Sequence, residues 1–207
     1  MKLNLEEKNA IITGGSRGIG KSICDILEEE GVITHSISRT SILKADLSRE
    51  DGISVAIGYI QSIKPKILIN NVGGVGRSRG NLEYNINEAY RMNIRPMIRL
   101  TEEAIKQGVE KVVTISSIYG KEAGLNPWFT GAKAYQIAFM KEMSKLVPYV
   151  NFNTVCPGEV DVGKIDRLQY FGQPEDVGNL VAFLCSDKAK HINGACIVID
   201  GGRGYSF

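Results

Sequence analysis

Two hydrophobic rhythms alternate along this chain. Short apolar runs rich in Val, Ile and Thr lie at 8–13 (KNAIIT), 32–38 (VITHSIS), 67–70 (ILIN), 111–116 (KVVTIS), 150–155 (VNFNTV) and 195–199 (ACIVI), with a short extended piece at 44–46 as a candidate seventh strand. Between them, longer segments at 18–30, 48–63, 86–107, 128–146 and 174–186 carry the helical period. Strands that are apolar throughout, separated by amphipathic helices, predict a doubly wound α/β fold: a parallel sheet of about six or seven strands flanked by helices on both faces. Pro174 falls where a first-turn proline is tolerated and Gly31 where a helix C-cap is wanted. No linker, repeat or low-complexity tract divides residues 1–207, so a single domain is expected. Open sheets of this kind place ligands at the carboxyl ends of their strands.

Composition narrows the classes. At 207 residues and 43% hydrophobic, the chain is long enough to build its own core without disulfides or a structural metal. Lys and Arg (25) nearly balance Asp and Glu (23) and are interspersed, so no nucleic-acid partner is expected. No run approaches the length of a membrane span and no leader-like stretch opens the chain; the expectation is a cytoplasmic protein without a membrane partner. Cys24, Cys156, Cys185 and Cys196 lie at wide, irregular spacings with only His35 and His191 to help them, which predicts reduced thiols and no metal site.

The strongest local signal is T-G-G-S-R-G-I-G at 13–20, directly after one predicted strand and opening a helix. Gly14 and Gly18 allow a tight turn that approaches a pyrophosphate, Gly20 allows close helix packing, and the helix N-terminus offers free N–H groups to phosphate. The rival reading is a strand-to-helix turn without a ligand.

The spacing T-G-x-x-x-G-x-G resembles the cofactor turn of the short-chain dehydrogenase/reductase family, classical type. Other segments follow the family's order: N-N-V-G-G at 70–74, M-N-I at 92–94, I-S-S-I-Y-G at 115–120, C-P-G-E-V at 156–160, and G-Q-P-E-D-V-G-N-L-V-A-F-L-C-S-D followed by I-N-G-A-C-I-V-I-D-G-G near the C-terminus. The resemblance implies a Rossmann domain and hydride transfer between a nicotinamide and a small carbonyl or alcohol substrate. The cofactor-binding positions it implies are Gly14, Ser16, Arg17, Gly18, Ile19, Gly20, Ser38, Arg39, Asp46, Leu47, Asn71, Val72, Gly73, Lys133, Pro157, Gly158 and Val160.

An acidic residue ending the second strand would accept the ribose 2′-OH of NAD, whereas Arg there suits the 2′-phosphate of NADP. Here Ser38-Arg39-Thr40 ends that strand and Arg17 lies in the glycine turn, so NADP(H) is expected over NAD(H). Both arginines also fit as solvated surface charges, and Asp46 fits equally as an adenine contact or as the start signal of helix 48–63.

In the family a Tyr phenol moves the proton. A Lys four residues later lowers the phenol's pKa and holds the ribose, a Ser orients the substrate oxygen, and an Asn helps hold a water-linked proton path. Residue by residue this gives Lys133, Ser117 and Asn93, but the Tyr position is Phe129, in P-W-F-T-G-A-K-A. A ring without O–H is no general acid. Three readings stay open: a replacement introduced to trap a bound state; a natural NADP(H)-binding pseudoenzyme with a structural or redox-sensing role; or a proton carried by Tyr119 or a water.

Only six residues separate Arg39 from Asp46, and 161–173 is short for the family's substrate lid, so a more open substrate pocket is expected, with Arg77, Arg79, Asn126, Trp128, Glu159 and Tyr170 as candidate substrate-side groups. The resemblance also implies a homodimer or homotetramer through helices 86–107 and 128–146, with Tyr90, Ile94, Met97, Ile98, Ile137, Phe139 and Met140 available to a partner or to the sheet.

Overall fold

A computed structural model describes residues 2–76, 81–124, 126–162 and 171–204. All seven strands run parallel in one sheet: β1 (Asn9–Thr13), β2 (Ile33–Ser38), β3 (Leu43–Lys44), β4 (Ile67–Asn70), β5 (Lys111–Ile115), β6 (Asn151–Pro157) and β7 (Cys196–Ile199). Their order is β3-β2-β1-β4-β5-β6-β7, so the winding reverses between β1 and β4. A crevice opens at such a reversal.

Helices α1 (Gly18–Glu29) and α6 (Pro174–Cys185) cover one face, over a core that includes Ile12, Ile23, Leu27, Val155 and Val181. On the other face α2 (Glu50–Ile63), α4 (Arg95–Lys106) and α5 (Pro127–Leu146) close over Ile11, Ile37, Leu68, Leu100 and Phe152. Neighbouring positions of one strand, such as Ile11 and Ile12, therefore feed opposite cores. That is why the strands read as continuous apolar runs.

Local signals place the helix ends. Gly31 takes φ +79°, and the 6→1 bond from Val32 N to Leu27 O (2.9 Å) and the 5→2 bond from Gly31 N to Glu28 O (3.0 Å) end α1. Pro174 opens α6, where the Asp176 carboxylate accepts from Gln173 N at 2.8 Å.

Two expectations are corrected. The predicted helix 86–107 is interrupted: α3 (Leu82–Ala89) passes into a π-helical turn (Tyr90–Ile94) before α4 begins. Pro96, in the first turn of α4, has no N–H for the ladder, which favours the break. The last strand-like piece before α2 is Leu43–Lys44, not 44–46, and it joins β2 through four residues with no helix between. Parallel neighbours normally need a long crossover. Here the Ser38 hydroxyl accepts from Thr40 N (3.1 Å) and Ser41 N (2.9 Å) and folds the chain back, which suffices because β3 is only two residues long.

Phe152 lies in β6, among the largest wholly buried side chains. Phe152→Ala is expected to cost about 3–5 kcal/mol, read as a lower urea midpoint at unchanged m value.

Candidate active site

The turn after β1 is held by a polar clamp across the sheet's reversal point. The Thr13 hydroxyl donates to Ile69 O (3.2 Å) and accepts from Asn71 N (2.9 Å) and Val72 N (3.0 Å), while Asn71 Nδ2 donates to Thr13 O (2.9 Å) and Gly14 O (3.3 Å). Gly14 and Gly18 sit at φ +72° and +53°. A Cβ on Gly20 would lie 2.3 Å from Gly14 O and 2.5 Å from Asn71 Nδ2, so only glycine lets α1 approach the turn. Arg17 occupies the N-cap in extended conformation, and no side-chain oxygen caps α1 among the described residues. The first amides of the helix are thus left for an anion.

Around this turn the expected cofactor positions gather at the carboxyl ends of β1, β2 and β4. Ser16, Arg17 and Arg39 are exposed, and neither arginine makes an ion pair among the described residues. Ser38 is buried and spent on its own turn. Asp46 accepts from Ser48 N (3.1 Å) and Ser48 Oγ (2.7 Å), and these bonds, with Arg39 and Arg49 nearby, hold its carboxyl below the ordinary range; it serves the entry to α2. The Ile19 and Leu47 side chains pack into the two cores, which leaves their backbones to face a ligand. Val72 packs against one core, and Gly73 is exposed.

At the end of β6, Pro157 is buried, Gly158 N donates to Ile199 O (3.0 Å), and Val160 bridges to Gly172. From there the chain returns over the glycine turn, where a Cβ on Gly18 would meet Val162 Cγ1 at 3.2 Å. A cleft of about 460 Å³ lies beside it, lined by Gly18, Lys21, Asp25, Asp161 and Val162 among others. The expected opening of the substrate lid falls largely outside the described residues, as do Arg77, Arg79 and Tyr170.

Lys133 is the centre of the second cluster. It is 5% exposed, donates to Ile115 O (3.0 Å) and Gln136 Oε1 (3.1 Å), and stands 5.6 Å from the centroid of the Phe129 ring, four residues earlier on α5. Burial pushes its pKa down to about 8, opposed by the Cys156 thiol. Asn93, in the π-helical turn, accepts from Gly74 N and donates to Gly74 O, both at 3.0 Å. A Cβ on Gly73 would lie 2.6 Å from Asn93 Oδ1 and 3.4 Å from Lys133 Nζ, so a backbone without side chain lies over both groups. Ser117 follows β5; its oxygen accepts from Tyr119 N (3.2 Å), which leaves the hydroxyl proton to donate.

Residues that motif matching does not single out set this geometry. Ser116 Oγ donates to Lys133 O at 2.9 Å, and a Cβ on Gly120 would lie 2.8 Å from the Lys133 carbonyl carbon. The short 3-10 turn Ile118–Gly120 therefore packs directly on α5 at Lys133. Gln136 and Cys156 also border the lysine, and Cys156 Sγ lies 3.4 Å from Cys196 Sγ. Small or polar residues facing the candidate lysine were the available signal.

Asn126, Glu159, Tyr119 and Trp128 are held in the fold to different degrees. Asn126 caps α5, its oxygen accepting from Phe129 N at 2.8 Å. Glu159 pairs with Arg203 at 3.8 Å. The Tyr119 ring packs on Gly124, where an added Cβ would meet Cδ1 at 2.0 Å. Trp128 is partly buried, with no bond to Nε1 among the described residues. Met97 and Met140 belong to the core, not to a partner face.

Because the Lys133 pKa is lower folded than unfolded, the unfolded chain holds a proton that the folded chain has released between about pH 8 and the ordinary lysine range. Stability relative to a Lys133→Met variant is therefore expected to rise with pH across that window, by up to about 3 kcal/mol, in parallel urea titrations.

Residues 14–203 match the family model described as Enoyl-(Acyl carrier protein) reductase. The 3-oxoacyl-[acyl-carrier-protein] reductase of Vibrio harveyi is 26% identical over 97% of this chain and 98% of its own length, in an alignment of 243 positions against 207 residues, so it carries insertions that this chain lacks. The 7alpha-hydroxysteroid dehydrogenase of Bacteroides fragilis is 30% identical over 95% of this chain and 94% of its own. Among solved structures, a short-chain dehydrogenase from Burkholderia cenocepacia in complex with NADP superposes with a TM-score of 0.86 at 23% identity, covering 96% of this chain and 98% of that one. No helix among the described residues is long and apolar enough to cross a membrane. With the parallel sheet, the glycine turn and the Lys133 cluster in place, these matches establish that the chain belongs to the short-chain dehydrogenase/reductase family of oxidoreductases.

Proposed function

We propose that this protein binds NADP(H) across the β1/β4 reversal and serves hydride transfer on a small carbonyl or alcohol substrate, with proton transfer impaired because Phe129 stands where a phenol would act. The observation that carries the reading is the buried Lys133, with a Phe129 ring 5.6 Å away and Gly73 lying against both its Nζ and Asn93. The residues present fit a dinucleotide. The uncapped start of α1 and its glycine turn suit a pyrophosphate, and the exposed Arg17 and Arg39 supply two cations for a 2′-phosphate. Gly73, Lys133, Pro157, Gly158 and Val160 would hold the nicotinamide half, whose ring supplies or accepts the hydride when bound. The NADP complex of the Burkholderia cenocepacia protein supports that choice of cofactor.

Ser117, with its proton free to donate, would orient the substrate oxygen, and Lys133 would hold the ribose. The names of the two relatives, a 3-oxoacyl reductase and a hydroxysteroid dehydrogenase, both point to a carbonyl/alcohol carbon. The second reading, a catalytically silent NADP(H)-binding protein, draws on the same missing hydroxyl: Lys133 already has two hydrogen-bond partners within the fold without it. Assembly as a homodimer or homotetramer draws on apolar side chains exposed on α3 and the turn after it (Leu82, Ile86, Tyr90) and on α5 (Tyr135).

Phe129→Tyr is expected to raise NADPH oxidation over a carbonyl panel by about 10²–10⁴-fold. Silence in both forms, with the cofactor bound, favours the second reading; turnover by the native chain that Tyr119→Phe abolishes assigns the proton to Tyr119. Fluorescence titration is expected to show NADPH binding at least about tenfold tighter than NADH, and Arg17→Ala with Arg39→Ala to erase the difference. Equal affinities in the native chain overturn the NADP(H) assignment. In sedimentation, Ile86→Asp with Tyr135→Asp is expected to give a monomer.

A further inference from the structure

Gln136 is 1% exposed and carries no role so far. Its side chain joins two groups of the candidate site: Nε2 donates to the Asn93 backbone carbonyl at 2.7 Å, and Oε1 accepts from Lys133 Nζ at 3.1 Å. The carboxamide has one workable orientation, since its reverse would set NH₂ against an ammonium and oxygen against a carbonyl. Lys133 has three donors; one goes to Ile115 O, one to Gln136, and one is left for the side of Gly73 and the Phe129 ring.

We propose that Gln136 is a positioning residue that holds the Lys133 ammonium with a single donor turned toward Gly73 and the Phe129 ring, its own carboxamide fixed in place by the Asn93 carbonyl. A hydrogen bond to the charged form favours that form, so Gln136 opposes the burial that drives Lys133 toward neutrality. Cys156, on β6, is the titratable group that bears on Lys133 among the described residues. Strand β5, the π-helical turn and the loop after β4 present neutral groups: Ile115 O, Asn93 and Gly73.

The test is NMR titration of the Lys133 ammonium in ¹⁵N-lysine protein without cofactor, in the native chain and in Gln136→Leu and Gln136→Glu. The Leu variant is expected to move the Lys133 midpoint down by about one pH unit, and the Glu variant to move it up by at least as much. Midpoints unchanged in both folded variants overturn the proposal. Should either variant fail to fold, the native protein still decides: Gln136 carboxamide protons exchanging with D₂O as fast as those of an exposed glutamine overturn it, and exchange at least about tenfold slower supports it. Only one further arm rests on the NADP(H) reading: weaker NADPH binding in Gln136→Leu near neutral pH, restored in Gln136→Glu. A native chain that binds no NADPH sinks that reading while the cofactor-free titration stands.

Discussion

The clamp between Thr13 and Asn71 is the contact from which the rest of the candidate site is laid out. At the winding reversal the connections after β1 and β4 leave for opposite faces of the sheet, and the ladder between the two strands ends at the paired Ile12 and Ile69. Beyond that pair, one hydroxyl and one carboxamide tie the glycine turn after β1 to the loop after β4. Because Gly20 brings α1 against Gly14 O and Asn71, the start of the helix is fixed beside the crevice with no side chain capping it. Larger side chains at Gly14 or Gly20 would collide with the clamp itself, so turn, helix and loop form one unit.

The second half of the site depends on burying a lysine. An ammonium loses hydration on burial, and acceptors must replace the lost water. Ile115 O and Gln136 Oε1 provide them, and the Phe129 ring supplies a cation–π face. The 3-10 turn that brings Ser117 alongside is locked to the same lysine's backbone by Ser116 and by the bare face of Gly120. The candidate catalytic groups therefore come from a strand end, a π-helical turn and a helix that touch through small residues. Such a cluster has few ways to relax, which suits a site that must hold its geometry.

Economy of length shapes the outer parts. Strand β3 follows β2 after a four-residue turn made by Ser38, with no crossover helix, and the alignment to the Vibrio harveyi relative shows residues missing from this chain. The sheet keeps its seven strands because β3 contributes only its two residues beside Ile37 and Ser38. Asp46 then serves the entry to α2, where Ser48 holds its carboxylate charged.

The sequence alone determined the layered architecture, since apolar strands and amphipathic helices each have a period that fixes which faces are buried. It also determined the glycine turn and the interval that sets Phe129 beside Lys133 on one helix, because both signals act locally. It did not determine the break at Asn93, which Pro96 signalled but whose π-helical form depends on the Gly74 loop that Asn93 binds. Nor did it show Asn126 as the cap of α5, or separate Met97 and Met140 as core from partner face; each depends on what lies opposite in space. Gln136 is the clearest case. On the chain it is one more polar residue of an amphipathic helix, and only the tertiary structure, by burying it between Lys133 and the Asn93 carbonyl, gives both ends of its amide a partner.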